Sequence, residues 1–346
     1  MFRKKQSIGL DTNTSGTTLV LMRRRKNGYK LKALAQADHS ESFVDSFDPL
    51  DHIRKCFIQT RSKPRRSQRV ACGLNGTEVT VNRFDFPAMS EQELEYAIHY
   101  EAGEVCPFNI DRCVVDFCLA EDQKNKKPLE KRERLRGITV VAKKQAIEEK
   151  ISTLKRLGLN CRLVDVNGLA LLNCIDELEY KGEGRAYAAV SLNERSTTVA
   201  VKLADGTCIT RELQGGIEMI CRNISQAYQM ERSHVRQRFD HASPLDQQFQ
   251  EMLLTGSREV LAQIDETLKF STSQGTNKQM AIVYLCGPRG ITDAFGIPLN
   301  NMLPYEVEIW NPMDRLFISK RVSRTGIAGK LRGSAAIALG LAMRLA

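Results

Sequence analysis

The sequence predicts a mixed α/β protein built as two duplicated halves with a cleft between them. Strand-like segments recur at 8–10, 17–22, 29–37, 69–74, 77–84, 113–119, 137–142, 162–166, 186–191, 197–203, 207–213, 281–286 and 306–309. Helical patterns fall between them at 45–60, 90–105, 144–157, 167–178, 215–229, 244–270 and 333–345, the alternation expected of an α/β architecture. The opening meander of three strands returns at 186–213 as YAAVSLN, STTVAVKL and TCITREL, with a turn at Asp205-Gly206. A chain of 346 residues also exceeds one ordinary core and suits two domains, or one fold with inserted subdomains.

Individual helices carry their own signals. Ser90 followed by Glu93 predicts a capping box at the start of the helix over 90–105. In 244–270, Phe249, Met252, Leu253, Val260, Leu261, Ile264 and Leu268 recur at spacings of three and four, so one face is buried. The closing AAIALGLAMRLA is shorter than the roughly 20 apolar residues a bilayer crossing needs. It also carries Arg344, and it predicts a buried helix.

Composition narrows the function. With 42% hydrophobic and 27% charged residues the chain is globular, not disordered. MFRKKQSIG has no apolar stretch or cleavage site of a secretory signal, so no export by that route is expected. The ten cysteines form no CxxC pair and read as reduced packing residues of a cytosolic protein. His39, His52, His99, His234 and His241 have no zinc-ligand spacing. The net charge of +10 is concentrated in RRRK at 23–26, RSKPRRSQR at 61–69 and KNKKPLEKRERLR at 124–136. Without interleaved aromatics these are no single-strand nucleic-acid platform. They read first as solvated loops and second as contacts for acidic lipid or a partner.

The stretch IGLDTNTSGTTLVL at 8–21 has the outline of a phosphate-gripping hairpin: apolar strand, Asp11, a hydroxyl-rich turn, apolar strand. Asp11 reads equally as a metal ligand and as an acid satisfied by its own turn.

A family resemblance rests on SEQELEYAIHYEAGEVCPFNIDRCVVDF at 90–117, through Glu101, Ala102, Gly103, Pro107, Phe108, Asp116 and Phe117. It is similar to the PilM pattern of an acidic helix ending in Glu-Ala-Glu, a Pro-Phe turn and a strand with Asp-Phe; Gly103 stands where the family usually has Glu. Collinear matches are the hairpin at 8–21, GLNCRLVDVNGLALLN at 158–173, Gly215-Gly216, LCGPRG at 285–290 and SAAIALGLAMR at 334–344. The chain thus resembles the PilM family, actin-like cytoplasmic proteins of type IV pilus assembly within the actin, Hsp70 and sugar-kinase superfamily. That resemblance implies an actin-like, ribonuclease H-like, duplicated two-lobed fold with an FtsA-type inserted subdomain. Its expected parts are 1–74 with 159–185 (1A), the insertion 75–158 (1C), 186–214 with 281–346 (2A), and a helical 215–280 (2B).

The resemblance also implies a nucleotide cleft lined by Asp11, Asn13, Thr14, Ser15, Thr18, Asn193, Ser196, Gly215, Gly216, Gly287 and Gly290, with Asp11 as metal ligand. The family's first loop runs approximately Asp-Ile-Gly-Ser-Ser-Ser-Val-Lys; here its glycine is Asn13 and its lysine Thr18. The second, usually Asp-Ile-Gly-Ala, reads Ser191, Leu192, Asn193, Glu194, so its acid is gone. Asparagine tolerates positive φ, so both turns are expected to survive. A lost lysine contact of about 1.5–3 kcal/mol weakens binding roughly ten- to a hundredfold. Glu194 and Arg195 read first as charged turn residues and second as replacement ligands. The expectation is ATP with Mg held weakly or not at all, and negligible turnover, because hydrolysis needs carboxylate-held metal and a positioned water.

The family's groove between insertion and first lobe receives the N-terminal cytoplasmic tail of the membrane protein PilN. The expected lining is Arg83, Phe84, Phe86, Val105, Pro107, Phe108 and Arg112, with the tail added as an extended strand. Phe86 and Phe108 individually read first as core residues of the insertion. The resemblance places the chain at the cytoplasmic face of the inner membrane. It allows a motor ATPase, a platform protein and further copies of itself as other partners, and no nucleic acid. Two competing readings are an active ATPase or phosphotransferase of the superfamily and a related subunit of a type II secretion or mannose-sensitive (MSHA-type) pilus system.

Overall fold

A computed structural model describes residues 6–346 apart from 14, 39–47, 77, 121–132, 180–184, 241–245 and 274–279. Thr14, His39, His241 and most of the third basic run therefore lie outside the described residues.

The chain opens with an antiparallel meander of β1 (Ser7–Asn13), β2 (Gly16–Arg25) and β3 (Gly28–Asp38). Helix α1 (Pro49–Gln59), capped by the Asp48 carboxylate at 2.9 Å from the Leu50 amide, leads to β4 (Arg69–Leu74), parallel to β1. An excursion follows: β5 (Val79–Pro87), α2 (Glu91–Val105), β6 (Cys113–Leu119), β7 (Arg134–Lys143) and α3 (Lys144–Arg156). Its strands form a separate antiparallel sheet in the order β5-β7-β6, with α2 on one face. The predicted capping box starts α2, Ser90 accepting from the Glu93 amide while Glu93 accepts from the Ser90 amide at 2.8 Å. The chain then returns through β8 (Asn160–Val166) beside β4 and enters α4 (Asn167–Leu178).

The second half repeats the first. Strands β9 (Ala186–Leu192), β10 (Ser196–Lys202) and β11 (Cys208–Gln214) form the second meander, turned at Gly206 with φ +82°. Helices α5 (Ile217–Tyr228), α6 (Arg232–Asp240) and α7 (Gln247–Ser273) follow, with all seven predicted face residues of α7 buried. Then come β12 (Met280–Cys286), α8 (Arg289–Met302), β13 (Val307–Ile309), β14 (Phe317–Ile318), α9 (Lys320–Ser323), α10 (Ile327–Leu331) and α11 (Ala336–Leu345). The two large sheets run β14-β3-β2-β1-β4-β8 and β11-β10-β9-β12-β13. Without β14, both place their strands in the order third, second, first, fourth, fifth. In both, the first three are antiparallel and the rest parallel. This is the duplicated two-lobed α/β fold that the repeated meander predicts.

Helices α4 and α11 lie between the two sheets in a core reaching from Val20 and Ala71 of the first to Tyr187 and Ala200 of the second. Helix α11 is buried at every position except Arg344, as a helix packed between two sheets must nearly be. It approaches β1 so closely that a Cβ on Gly9 would lie 1.9 Å from the Ala338 carbonyl oxygen. A Cβ on Gly340 would lie 1.8 Å from that of Ala170 in α4. One expected assignment is corrected here: 281–346 does not pack wholly with the second half. Strand β14 pairs with β3, and α11 covers β1 and β4, where its buried apolar positions join the core between the sheets. Helix α8 had no sequence prediction; Gly290, Gly296 and Pro298 break its pattern, and Gly296 lies where Ile309 packs, 3.1 Å from a Cβ.

Gly340→Val is expected to lower stability in a urea titration by about 1–3 kcal/mol or more through overpacking. Gly103→Ala on α2, where a Cβ meets nothing within 4 Å, should raise it by up to about 1 kcal/mol.

Candidate functional site

The inter-lobe crevice lies where β1, β4 and β8 end. Asp11, near the end of β1, is buried, lies across from Thr18 on β2, and accepts from Nδ2 of Asn167 at 3.4 Å. Asn167 is the first residue of α4. From the second lobe comes Glu212 of β11, the register partner of Thr198 on β10. Its carboxylate accepts from the hydroxyls of Ser196 and Thr198, the latter at 2.8 Å. Gly76 makes room for it, since a Cβ there would lie 2.2 Å from that of Glu212. Burial and the Glu212 charge push the Asp11 carboxyl up to about 6, against the pull of Lys150 and the Asn167 amide. Burial raises Glu212 as well, opposed by its two hydroxyl donors. Glu212 escaped the sequence reading because one acid in TCITREL looks like any solvent-facing strand position.

The expected nucleotide residues fall into two groups. Asn13 closes the first turn, its side chain accepting from the Ser15 amide at 2.9 Å. It does not replace a glycine's geometry. Among the described residues, positive φ outside glycine occurs at Arg61, Gln229 and Arg332, and the first turn uses Gly16, at φ +150°. Asn193 likewise has no positive φ. Its carbonyl accepts from the Ile217 amide at 3.0 Å and that of Glu194 from the Glu218 amide at 2.9 Å. The first amides of α5 are thus already used by the β9–β10 turn. Gly216 permits this packing, because a Cβ would lie 2.2 Å from the Asn193 oxygen; Gly215 beside it has φ +109°. Gly287, at φ +154°, packs against the Leu192 carbonyl, and Gly290 lies in the first turn of α8. Glu194 is held by Arg236 at 2.6 and 2.8 Å and Arg195 pairs with Glu218 at 3.2 Å, so both serve the turn itself.

A second concavity, of about 310 Å³, separates the inserted sheet from the first lobe. Side chains alternate across a strand, so β6 presents Val114, Asp116 and Cys118 to this groove and Cys113 and Val115 to the α2 side, while Phe117 and Leu119 pack with the α2 side and also border the groove. Ile138 and Val140 of β7 continue the groove wall, and α4 and β8 form the opposite side. Its base carries two ion pairs, Lys202–Asp176 at 2.9 Å and Arg344–Asp165 at 3.0 Å. Strand β6 is at the edge of its sheet.

The expected lining needs correction. Phe84 is buried and stacks on Phe86 at 5.5 Å, packing with Leu94, Ile98 and Leu135 on the face opposite the groove. Phe108 lies under Lys143, whose Nζ is 4.4 Å from the ring centroid. Val105, Pro107 and Arg112 are exposed around the turn between α2 and β6. Arg83, in register with Ile138 and so with Cys118, is the one of the seven that shares the groove side of the sheet. The period of two in CVVDFCL places Val114, Asp116 and Cys118 on the groove side of the sheet, opposite the Phe84–Phe86 cluster.

The family model described as "Type IV pilus assembly protein PilM" matches residues 9–346. Among solved structures, a "PilM-PilN type IV pilus biogenesis complex" superposes with a TM-score of 0.80 at 19% identity, covering 99% of this chain and 98% of that one. The ethanolamine utilization protein EutJ from Carboxydothermus hydrogenoformans gives 0.53 at 11% identity, covering 99% and 90%. A diol dehydratase-reactivating factor in nucleotide-free form gives 0.55 at 8%, covering 98% and 99%. These likenesses establish the two-lobed actin-like fold. With a family match running from β1 to the last residue, this chain belongs to the type IV pilus assembly protein PilM family.

Proposed function

We propose that this chain is a scaffold of type IV pilus biogenesis that holds the N-terminal cytoplasmic tail of a PilN-like inner-membrane protein in the groove beside β6. The observation that carries this reading is an edge strand with alternate side chains facing a polar-based groove. An extended peptide there can take main-chain hydrogen bonds from the edge and side-chain pockets from the wall. Arg83 shares the groove side of the sheet, Val105, Pro107 and Arg112 lie around the turn that leads into β6, and Phe84, Phe86 and Phe108 support the sheet from behind. Among the described residues no helix is long and apolar enough to cross a membrane. Attachment to the cytoplasmic face then runs through the partner's tail.

The crevice fits a cation better than a nucleotide. Asp11 and Glu212 offer carboxylate oxygens from both lobes, the donor type a hard divalent ion prefers. Asn167 Oδ1 is a buried acceptor with no hydrogen-bond partner among the described residues, accommodated where a Cβ on Gly73 would lie 1.8 Å away. Magnesium bound there would neutralise phosphate charge. The phosphate side fits poorly: Thr18 replaces lysine, Ser196 and Thr198 donate to Glu212, and the Ile217 and Glu218 amides are already bonded. Glu212 also puts negative charge where phosphate would go. We therefore assign weak or absent ATP binding and negligible turnover to this crevice.

A synthetic peptide of the candidate tail should bind saturably in fluorescence anisotropy, and Val114→Glu should weaken it at least about tenfold, one buried charge exceeding 1.4 kcal/mol, with the melting curve unchanged. Equal binding of a scrambled peptide would sink the groove. In a fluorescent-ATP titration with Mg, the wild type should bind weakly or not at all, and Glu212→Gln should tighten it about tenfold; tight binding and turnover lost in Asp11→Ala would establish the enzyme instead.

Because the folded Asp11 pKa is above its ordinary 3.8, the native state holds that proton longer than the unfolded chain. Stability falls as pH rises from about 4 to about 6 and stays reduced above. Asp11→Asn should shallow this slope, leaving the part that the raised Glu212 contributes, and raise stability at pH 7.5 by on the order of 1–3 kcal/mol, read from melts across pH.

A further inference from the structure

The first two basic runs, separated in sequence, meet at one end of the first sheet. Strand β2 ends and β3 begins there, and β4 begins there at Arg69, the register partner of Ser7 in β1. The crevice lies at the opposite end, where β1 and β4 finish. Across β2 and β3, Arg23 directly faces Lys30, and Lys30 in turn faces Phe317 on β14. The Arg25 guanidinium lies 5.5 Å from the centre of the Phe317 ring. Together Arg23, Arg25, Lys26, Asn27 and Phe317 line a recess of about 420 Å³. Helix α9 adds exposed Lys320 and Arg324, and its Arg321 donates to the Thr60 carbonyl, joining this edge to the turn that carries Arg61, Lys63, Arg65 and Arg66.

No countercharge is built in. Residues 22–37, 54–69 and 317–330 contain no Asp or Glu. Among the described residues, no ion pair engages Arg23, Arg25, Lys26, Lys30 or Lys32. Like charges directly opposite on neighbouring strands are destabilising, and Arg25, with burial, Lys32 and Arg23, holds the Lys30 ammonium below the usual lysine value. A fold that keeps such a cluster presents it to an external anion. Phe317, 48% exposed, stands in the same recess. Cations around an exposed apolar ring suit a bilayer interface, where the ring enters the headgroup layer and the cations meet lipid phosphate. A single ring offers no base-stacking series for a nucleic acid.

We propose that this end of the first lobe rests directly on an anionic bilayer, with Arg23, Arg25, Lys26 and Lys30 taking lipid phosphate and Phe317 inserting between headgroups. This contact stands independently of the peptide groove. The test is sedimentation of the full chain, without peptide, with vesicles of phosphatidylethanolamine and phosphatidylglycerol against vesicles of phosphatidylcholine alone. The chain should pellet with the anionic vesicles and be released by salt. The triple variant Arg23→Gln, Arg25→Gln, Lys30→Gln should bind about a hundredfold more weakly, at about fivefold per cation near the surface, whereas Arg222→Gln, Arg232→Gln, Arg258→Gln on the second lobe should stay within about twofold. Phe317→Ser should weaken binding without changing its salt dependence. Relief of like-charge opposition should leave the melting temperature of the first triple variant unchanged or higher, which separates lost binding from lost fold. Equal losses in the two triple variants, no preference for anionic vesicles, or binding to polyglutamate or a single-stranded oligonucleotide while vesicles stay free would overturn the proposal.

Discussion

Everything in this molecule is arranged around the contact of α11 with β1 on one side and α4 on the other. At Gly9 and Gly340 backbone meets backbone, and any side chain would overlap a carbonyl oxygen. Helix α4 then fastens both lobes through acids at its C-terminal end. Asp176 bonds Lys202, Glu177 accepts from the Tyr29 hydroxyl at 2.6 Å, and Glu179 accepts from Trp310 at 3.0 Å and from Arg315 at 2.9 and 3.0 Å. Acids near a helix C-terminus oppose its dipole; these are offset by partners from both lobes. Close-packed interiors transmit displacement with little compliance, so this pair of helices sets the spacing at which Asp11 and Glu212 face each other.

That spacing explains how the crevice differs from a nucleotide site. Of the groups that could hold an anion, the Ser196 and Thr198 hydroxyls and the Ile217 and Glu218 amides each have an intramolecular acceptor. Glu212 binds the hydroxyls and the β9–β10 turn binds the amides. Under the reading proposed above, these polar residues hold the two lobes in register.

The duplicated meander, the capping box at Ser90 and the buried stripe of α7 were legible because each is a local pattern with a fixed period. The family's collinear motifs were legible for the same reason. Glu212 was not, because its importance arises from Gly76 and Asp11, which lie far from it in sequence. The alternation of Phe84 and Phe86 with Arg83 and Asp85 divides β5 between two faces, which a list of lining residues by itself does not separate. The meeting of two basic runs at one sheet edge required the strand order, which composition does not contain.

The central position of α11 also bears on how the polypeptide acquires its structure. During synthesis β1 leaves the ribosome long before the helix that covers it, so one apolar face of the first sheet has no lasting cover until α11 has been made. Contacts so distant along the chain slow folding, and exposed apolar faces invite association in the meantime. Nascent chains of this architecture therefore need shielding by a chaperone more than their modest size suggests.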